Sequence, residues 1–217
     1  QIKKWADDFV AFLGTGRALP DETQRVRRSL QDMTDYILGI VVQRRKNPQD
    51  DLISALIAVE DQGDKLSENE LVGTCVSLMI AGHETTTNLI GNGILALLMN
   101  PDQLRMLKAD PALIVSTIEE ILRYEAPVLR DWAVAMEDHE VGGKRILEGQ
   151  IVYQLLGAAN RDPEQFSNPD QLDIMRSDNR HVAFAHGIHY CLGASLARLE
   201  GQITVGSLLE RMPDLRM

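Results

Sequence analysis

The feature that most constrains the fold is a long helical tract from Ser67 to Met99. It opens with a capping box, Ser67-Glu-Asn-Glu70, in which each side chain can bond the other residue's backbone N–H. Leu66 and Leu71 flank the box and predict a hydrophobic staple. At 1.5 Å per residue the helix would be roughly 48 Å long, and it is apolar on nearly every side. Such a helix must be buried, so the tract predicts a protein built around a central helix.

Most of residues 1–126 also show helical periodicity. A break is expected at residues 17–20, a long amphipathic helix from about Asp21 to Arg45, and a turn at Gly63. Asn100-Pro101 and Asp110-Pro111 each combine an N-cap residue with a proline, which predicts two further helix starts.

The pattern changes after Pro127, where short alternating runs around a Gly142-Gly143 turn predict a few strands. Residues 161–180 read as irregular, and a final helix is predicted from about Cys191 to Arg211. We therefore expect a mainly α fold with small β-sheets, in one partial domain over 1–217. Its parts are a helical region (1–126), a region of strands and irregular chain (127–180), and a loop with the final helix (181–217).

Composition excludes several functions. The chain has 22 Lys and Arg against 32 Asp and Glu, a net charge of -10, which argues against a nucleic-acid surface. Two cysteines are too few for a disulfide scaffold and favour a reducing compartment. The longest apolar tract is too short and too polar for a membrane span. These features predict a cytoplasmic protein with no membrane partner.

The tract from Phe184 to Gly193 carries the strongest chemical signal. Phe184, Gly187, Cys191 and Gly193 form the pattern F-x-x-G-x-x-x-C-x-G. A cysteine in the first turn of a helix would be favoured as a thiolate by the helix dipole and free N–H groups. Gly187 would permit a tight turn, and Gly193 would let backbone N–H groups approach the sulfur.

This pattern resembles the heme-thiolate loop of the cytochromes P-450. Ala81-Gly82-His83-Glu84-Thr85 resembles the family's oxygen-activation motif, and Glu120-x-x-Arg123 its buried E-x-x-R pair. Ala158-Ala-Asn-Arg-Asp-Pro163 resembles a stretch common in bacterial members. The resemblance runs over essentially all 217 residues and corresponds to the second half of a member. By this resemblance the isolated chain is expected to bind heme weakly and to self-associate unless the other half is present.

The resemblance implies a role for each motif residue. Cys191 would be the axial ligand of heme b iron, and His189 would donate to a heme propionate. Glu84 and Thr85 would relay protons, while Ala81 and Gly82 would allow close approach to the heme. Pocket walls are expected at Ser77, Ile80, Val128 and Leu129.

The implied activity is insertion of one oxygen atom from O₂ into a small organic substrate. Electrons would come from a ferredoxin or flavin reductase. Arg180, His181, His186 and Arg198 could form a local basic patch that guides such a donor.

Three other readings remain open at this point. A zinc site could use Cys191 with His181, His186 and His189, although no Cys-x-x-Cys accompanies them. The chain could also bind heme without turnover, or be an inert helical fragment.

The sequence also departs from the family pattern. Ala185 replaces a frequent glycine, Gln171 stands where an arginine often completes the E-x-x-R network, and Ala133 stands where bacterial members often have a propionate-binding arginine. Arg176 is a possible substitute in the first network, and Arg130 in the second.

Overall fold

The structure, a computed structural model, describes residues 1–15, 20–61 and 66–216, without the side chains of 13–15, 60 and 61. Of the predicted break at residues 17–20, only Pro20 is described, and it begins α2; the predicted turn at Gly63 lies outside the described residues. The longer helices are α1 (Ile2–Thr15), α2 (Pro20–Lys46), α3 (Leu52–Asp61), α4 (Glu68–Met99), α5 (Pro101–Ala109) and α6 (Ile114–Tyr124), followed by the short α7 (Leu156–Ala159) and the final α8 (Ala194–Arg211). Single 3₁₀ turns lie at Pro111–Leu113 and Gly187–His189. The architecture is the mainly helical one that the sequence predicts.

The predicted start of α4 is confirmed. The backbone N–H of Ser67 donates to Glu70 Oε2 at 2.8 Å, and the N–H of Glu70 reaches Ser67 Oγ at 3.4 Å. Leu66 packs against the same core as Leu71, as a hydrophobic staple requires. The two hydrogen bonds between Ser67 and Glu70 satisfy N–H groups that the first turn of a helix otherwise leaves unpaired.

The chain divides into two compact units, Gln1–Glu84 and Thr85–Met217. In the first unit Trp5 of α1 packs with the buried stripe of α2 and with Leu71 of α4. Asp8 ties α1 to α2, because its carboxylate accepts from Ser29 Oγ at 2.7 Å and pairs with Arg25 at 3.0 Å. The spacing of Met33, Ile37 and Val41, all buried, explains why this segment is an amphipathic helix.

The second unit is centred on α6 and α8. Ile118, Ile121 and Leu122 of α6 are completely or almost completely buried. Gly201 of α8 allows the close approach, because a Cβ there would lie 3.2 Å from Leu89 and 3.3 Å from Ile118. Glycine at this position therefore allows α8 to pack directly against Ile118 of α6.

The predicted strands form two antiparallel pairs. β1 (Asp131–Val134) pairs with β4 (Ile151–Gln154), and β2 (His139–Val141) pairs with β3 (Lys144–Ile146). Gly142 and Gly143 join β2 to β3 with φ of 56° and 74°. Two consecutive positive φ values are what a tight hairpin turn of this kind needs, and glycine adopts them without strain.

The predicted helix start at Asn100-Pro101 is confirmed, because Asn100 is the N-cap residue of α5 and Pro101 is its first residue. The Asn100 side chain makes no cap bond to α5, since its Nδ2 donates to Ala96 O at 2.8 Å. The predicted start of the last helix is wrong. The final helix begins at Ala194 rather than at Cys191. Asp110 does act as a cap, since its carboxylate accepts from the N–H of Ala112 at 3.1 Å.

Within the described residues, no helix combines the length and the apolar character that crossing a membrane requires.

Candidate functional site

The loop of residues 184–193, called the cysteine loop below, is closed by two backbone hydrogen bonds. The N–H of Cys191 donates to Phe184 O at 3.0 Å, and the N–H of Tyr190 donates to Gly187 O at 3.1 Å. Gly187 has φ 74°, so the predicted tight turn occurs at this glycine. The loop thus has a defined shape that presents Cys191 at its end.

Cys191 itself is an exposed, free thiol. It lies before α8 and not in its first turn, since its carbonyl accepts from the N–H of Ala194 at 3.2 Å and Gly193 caps the helix. The expected first-turn position is therefore wrong, because the bond to Phe184 keeps the Cys191 backbone in the loop. A Cβ on Gly193 would lie 3.9 Å from the sulfur, so glycine leaves that side of the thiol open.

Ala185 carries backbone strain in this loop. Its φ is 59°, a left-handed conformation that costs a non-glycine residue about 1 kcal/mol. This is the position at which the family often has glycine, so the departure seen in the sequence has a conformational cost. A backbone bond to a preceding residue holds it in place, because the N–H of Ala185 donates to Val182 O at 3.0 Å.

Glu120 and Arg123 of α6 form a completely buried ion pair. Arg123 donates to both carboxylate oxygens of Glu120, at 2.8 and 2.9 Å. Its remaining N–H groups reach three backbone carbonyls in the irregular segment, those of Asn160, Pro169 and Gln171. The pair therefore acts structurally: it fixes the irregular chain on α6.

Arg176 completes this network in place of Gln171. Its Nε donates to Glu120 Oε2 at 3.0 Å, and its side chain is 6% exposed. Asn179 Nδ2 and the N–H of Asp173 also donate to the Glu120 carboxylate. Gln171 contributes only its backbone carbonyl, which explains why the missing arginine side chain is tolerated.

Asn160 is a site residue that sequence reasoning did not single out. It is fully buried, and its Oδ1 accepts from the N–H of Val182 at 2.8 Å while its own carbonyl accepts from Arg123. Asn160 therefore joins the buried pair to the chain that enters the cysteine loop. The signal available in the sequence was its place in the Ala158–Pro163 stretch.

The expected basic patch is largely neutralised. Arg180 pairs with Asp178 at 3.0 Å, and both His181 and Arg198 pair with Glu119, at 3.1 and 2.7 Å. Three of these four side chains therefore face carboxylates, so the positive charge that the sequence suggests around the loop is largely balanced. His186 lies on an exposed part of the loop, and the Arg180 side chain, although paired, is 83% exposed.

Glu119 is ionised over the whole ordinary pH range. Burial alone would raise the pKa of this carboxyl, but hydrogen bonds from His181 and Arg198 lower it to about 2. The same bond with Glu119 raises the pKa of the Arg198 guanidinium. The two charges are therefore stable partners.

The α4 motif, residues 81–85, lies at the boundary of the two units. Ala81 and Gly82 are exposed, and the Cβ position of Gly82 meets no atom within 4 Å. Glu84 and Thr85 are partly buried, and Glu84 Oε2 has no hydrogen-bond partner among the described residues. Ser77 is exposed and Ile80 packs into the core of the first unit. Their roles in a pocket and a proton relay stay predictions.

Val128 and Leu129, which are expected to form a wall of the substrate pocket, lie on the surface of the second unit. Val128 is 38% exposed and Leu129 61% exposed. Leu129 is fixed by its carbonyl, which accepts from the N–H of Gly157 at 2.9 Å.

The residues considered for binding a propionate lie on the same unit. Arg130 stacks on the Tyr153 ring at 5.6 Å, and Ala133 pairs with Val152 in the β1–β4 sheet. His189 is exposed in the 3₁₀ turn, where a propionate donor is expected.

The surroundings of Cys191 fit a heme rather than a zinc ion. Ile188 and Leu192, on either side of the thiol in the loop, are 97% and 88% exposed, so a single soft sulfur ligand lies on an apolar surface. His181 is committed to Glu119, and no group of three His, Cys, Asp or Glu side chains that could hold a metal occurs among the described residues. One thiolate with apolar neighbours suits a flat macrocycle whose iron takes a cysteine ligand.

Comparison with known proteins gives the same family. A family model described as Cytochrome P450 matches residues 9–115 and 109–212. A biotin biosynthesis cytochrome P450 of Bacillus subtilis strain 168 is 46% identical over 100% of this chain and 54% of its own length.

Solved structures agree. A P450 in complex with an acyl carrier protein carrying hexadec-9Z-enoic acid superimposes with a TM-score of 0.93 at 46% identity, covering 100% of this chain and 56% of that one. A myxobacterial cytochrome P450 in complex with myristic acid gives 0.94 at 40% identity, covering 100% and 53%.

The chain spans about half the length of the curated relatives it matches. The match nevertheless extends over nearly all of its residues and includes the cysteine loop, the buried ion pair and the α4 motif. On this evidence the chain belongs to the cytochrome P450 family of heme-thiolate proteins.

Proposed function

We propose that this chain forms part of a heme-dependent monooxygenase that inserts one atom of O₂ into a small organic substrate. The observation that carries the proposal is the exposed Cys191 thiol in its closed loop, within a chain of the P450 family. Heme, when bound, supplies the activation of O₂ and the transfer of oxygen. The residues of the chain bind the heme, orient the substrate and move protons.

Cys191 would hold the iron through Sγ. The N–H of Cys191 is already engaged by Phe184 O, so the loop shape that directs the sulfur outward exists in the protein itself. Gly193 leaves the space beside the sulfur open, and Ile188 and Leu192 offer apolar contact. His189, exposed in the 3₁₀ turn, would donate to a propionate.

Glu84 and Thr85 would deliver protons. Glu84 Oε2 has no hydrogen-bond partner within the described chain, so this carboxylate oxygen is available to exchange a proton with a neighbouring hydroxyl or water. The Thr85 hydroxyl, on the next residue, would hold that proton where the reaction consumes it. Neither group is needed for binding the substrate.

The substrate and electron donor are proposed at the level of class. Two structural relatives hold a hydrocarbon chain, hexadec-9Z-enoic acid in one and myristic acid in the other, which favours an apolar organic substrate here. We propose a ferredoxin or flavin reductase as the donor, and a cytoplasmic setting because both described cysteines are unpaired thiols.

The test compares Thr85→Ala with Thr87→Ala, a threonine two residues away, in the heme-loaded full chain. A panel of small organic probes that includes myristic acid is turned over with a ferredoxin and its reductase. Thr85→Ala should keep heme and probe binding but divert electrons to peroxide or water, whereas Thr87→Ala should remain coupled. Equal coupling in Thr85→Ala and wild type would contradict the relay. Tight heme binding with no product from any probe would favour a heme-binding protein without turnover.

A further inference from the structure

Arg198 of α8 contacts three side chains: Glu119 of α6, and Phe184 and Tyr190 of the cysteine loop. Its Nε and Nη2 donate to the two oxygens of Glu119 at 2.7 and 3.0 Å, and its Nη1 donates to Tyr190 Oη at 3.1 Å. Its guanidinium carbon lies 4.6 Å from the centroid of the Phe184 ring. A bidentate pair fixes the plane of the guanidinium, so the stacked ring and the phenol hydroxyl are fixed with it.

Both aromatic side chains belong to the cysteine loop and come from residues next to Cys191 in sequence or in hydrogen bonding. Phe184 supplies the carbonyl that accepts the Cys191 N–H at 3.0 Å, and Tyr190 is the residue immediately before the cysteine. The two rings also meet edge to face, with centroids 6.4 Å apart. A group that holds both rings therefore limits the movement of the Cys191 backbone between them.

Glu119 is also held by His181. His181 Nδ1 accepts the N–H of Ala183 at 3.2 Å, so the proton of a neutral ring lies on Nε2, which donates to Glu119 Oε2 at 3.1 Å. The His181 side chain is only 3% exposed. The carboxylate consequently has a fixed position on α6 from which it orients Arg198.

We propose that Glu119 and Arg198 are positioning residues for the cysteine ligand: the carboxylate on α6 orients a guanidinium that clamps Phe184 and Tyr190 around Cys191. This deepens the proposed function and rests on it for the identity of the ligand, but the clamp is a property of the protein chain. Arg198 thus acts on the loop by geometry, through its planar fork and its stacking face, and not through charge alone.

The first measurement is amide hydrogen exchange at Cys191 in the heme-free full chain. Arg198→Met removes the fork and the stacking, and should speed exchange of the Cys191 N–H by about tenfold, the effect of losing one charge-assisted bond. Arg198→Lys keeps the charge but not the fork, and should behave like Arg198→Met. Arg180→Met breaks an exposed pair with Asp178 close to the loop in sequence and should leave exchange at the wild-type rate.

The second measurement is the reduced, CO-bound spectrum of the heme-loaded chain. Arg198→Met and Arg198→Lys should both lose the thiolate-type form faster than wild type and Arg180→Met. Glu119→Gln gives a second route to the same result if an Arg198 variant does not fold, because it keeps the side-chain shape while weakening the bidentate pair.

The possible outcomes test the clamp and the proposed function separately. Exchange of the Cys191 N–H within twofold of wild type in folded Arg198→Met, Arg198→Lys and Glu119→Gln would overturn the clamp. Full rescue by Arg198→Lys would also overturn it, because charge alone would then suffice. A wild-type chain that shows no thiolate-type spectrum even with the other half present would refute the proposed function instead, while the exchange measurement would still decide the clamp.

Discussion

Replacing Arg123 with methionine should remove a large part of the stability of the chain. The variant leaves the Glu120 carboxylate buried with one cation fewer, and it leaves the carbonyls of Asn160, Pro169 and Gln171 without their guanidinium donor. Breaking a buried ion pair from one side costs about 3–5 kcal/mol. The carbonyls add to this cost, while Arg176 and Asn179, still bonded to Glu120, reduce it. We expect a net loss of about 4–6 kcal/mol, against a total stability of about 5–15 kcal/mol for a typical domain.

The matched control is Arg105→Met. Arg105 and Asp102 are also an i,i+3 ion pair on a helix, but their side chains are 71% and 79% exposed. Exposed pairs of this kind contribute about 0–1 kcal/mol. Denaturant unfolding should be followed by the fluorescence of Trp132, which lies in the second unit, in a Trp5→Phe background. Equal losses in Arg123→Met and Arg105→Met would refute the reasoning that burial makes the first pair essential.

Two further predictions concern the cysteine loop and its support. Ala185→Gly should raise the unfolding midpoint by the equivalent of about 0.5 kcal/mol, because glycine adopts the left-handed φ of 59° without strain while losing some chain entropy on folding; a lower midpoint would contradict that account. The pKa of Glu119 is lowered in the folded chain from 4.5 to about 2, so its contribution to stability is complete above about pH 4.5 and is lost as the pH falls toward 2. Allowing for partial solvent screening, about 1–2 kcal/mol of acid-dependent stability should disappear in Glu119→Gln, measured as unfolding free energy against pH; an unchanged acid limb would exclude Glu119 as its source.

Features with a local cause were predictable from the sequence. The capping box of α4 and the glycine turn between β2 and β3 each depend on residues within a few positions of one another. The buried Glu120–Arg123 pair could also be anticipated, because both side chains lie on one face of an apolar helix. In each case the residues that form the feature lie within a few positions of one another in the chain.

Features that depend on distant segments were not predictable in the same way. Arg198 pairs with a carboxylate 79 positions away, so the sequence offered it as a free surface charge. Asn160 meets Val182 only because the irregular segment folds onto α6, and no local pattern reveals that contact. The sequence pattern predicts that α8 begins at about Cys191, but the helix begins at Ala194. The hydrogen bond from the Cys191 N–H to Phe184 O keeps Cys191 in the loop.

The most direct test of the account is the reduced, CO-bound spectrum of the heme-loaded full chain, compared between Cys191→Ser and Cys75→Ser. Cys75 is buried in the core of the first unit, and burial raises the pKa of its thiol, so it provides the matched cysteine that should not bind iron. The account predicts a thiolate-type spectrum in wild type and in Cys75→Ser, and its loss in Cys191→Ser. A thiolate-type spectrum that survives in Cys191→Ser and disappears in Cys75→Ser would contradict it.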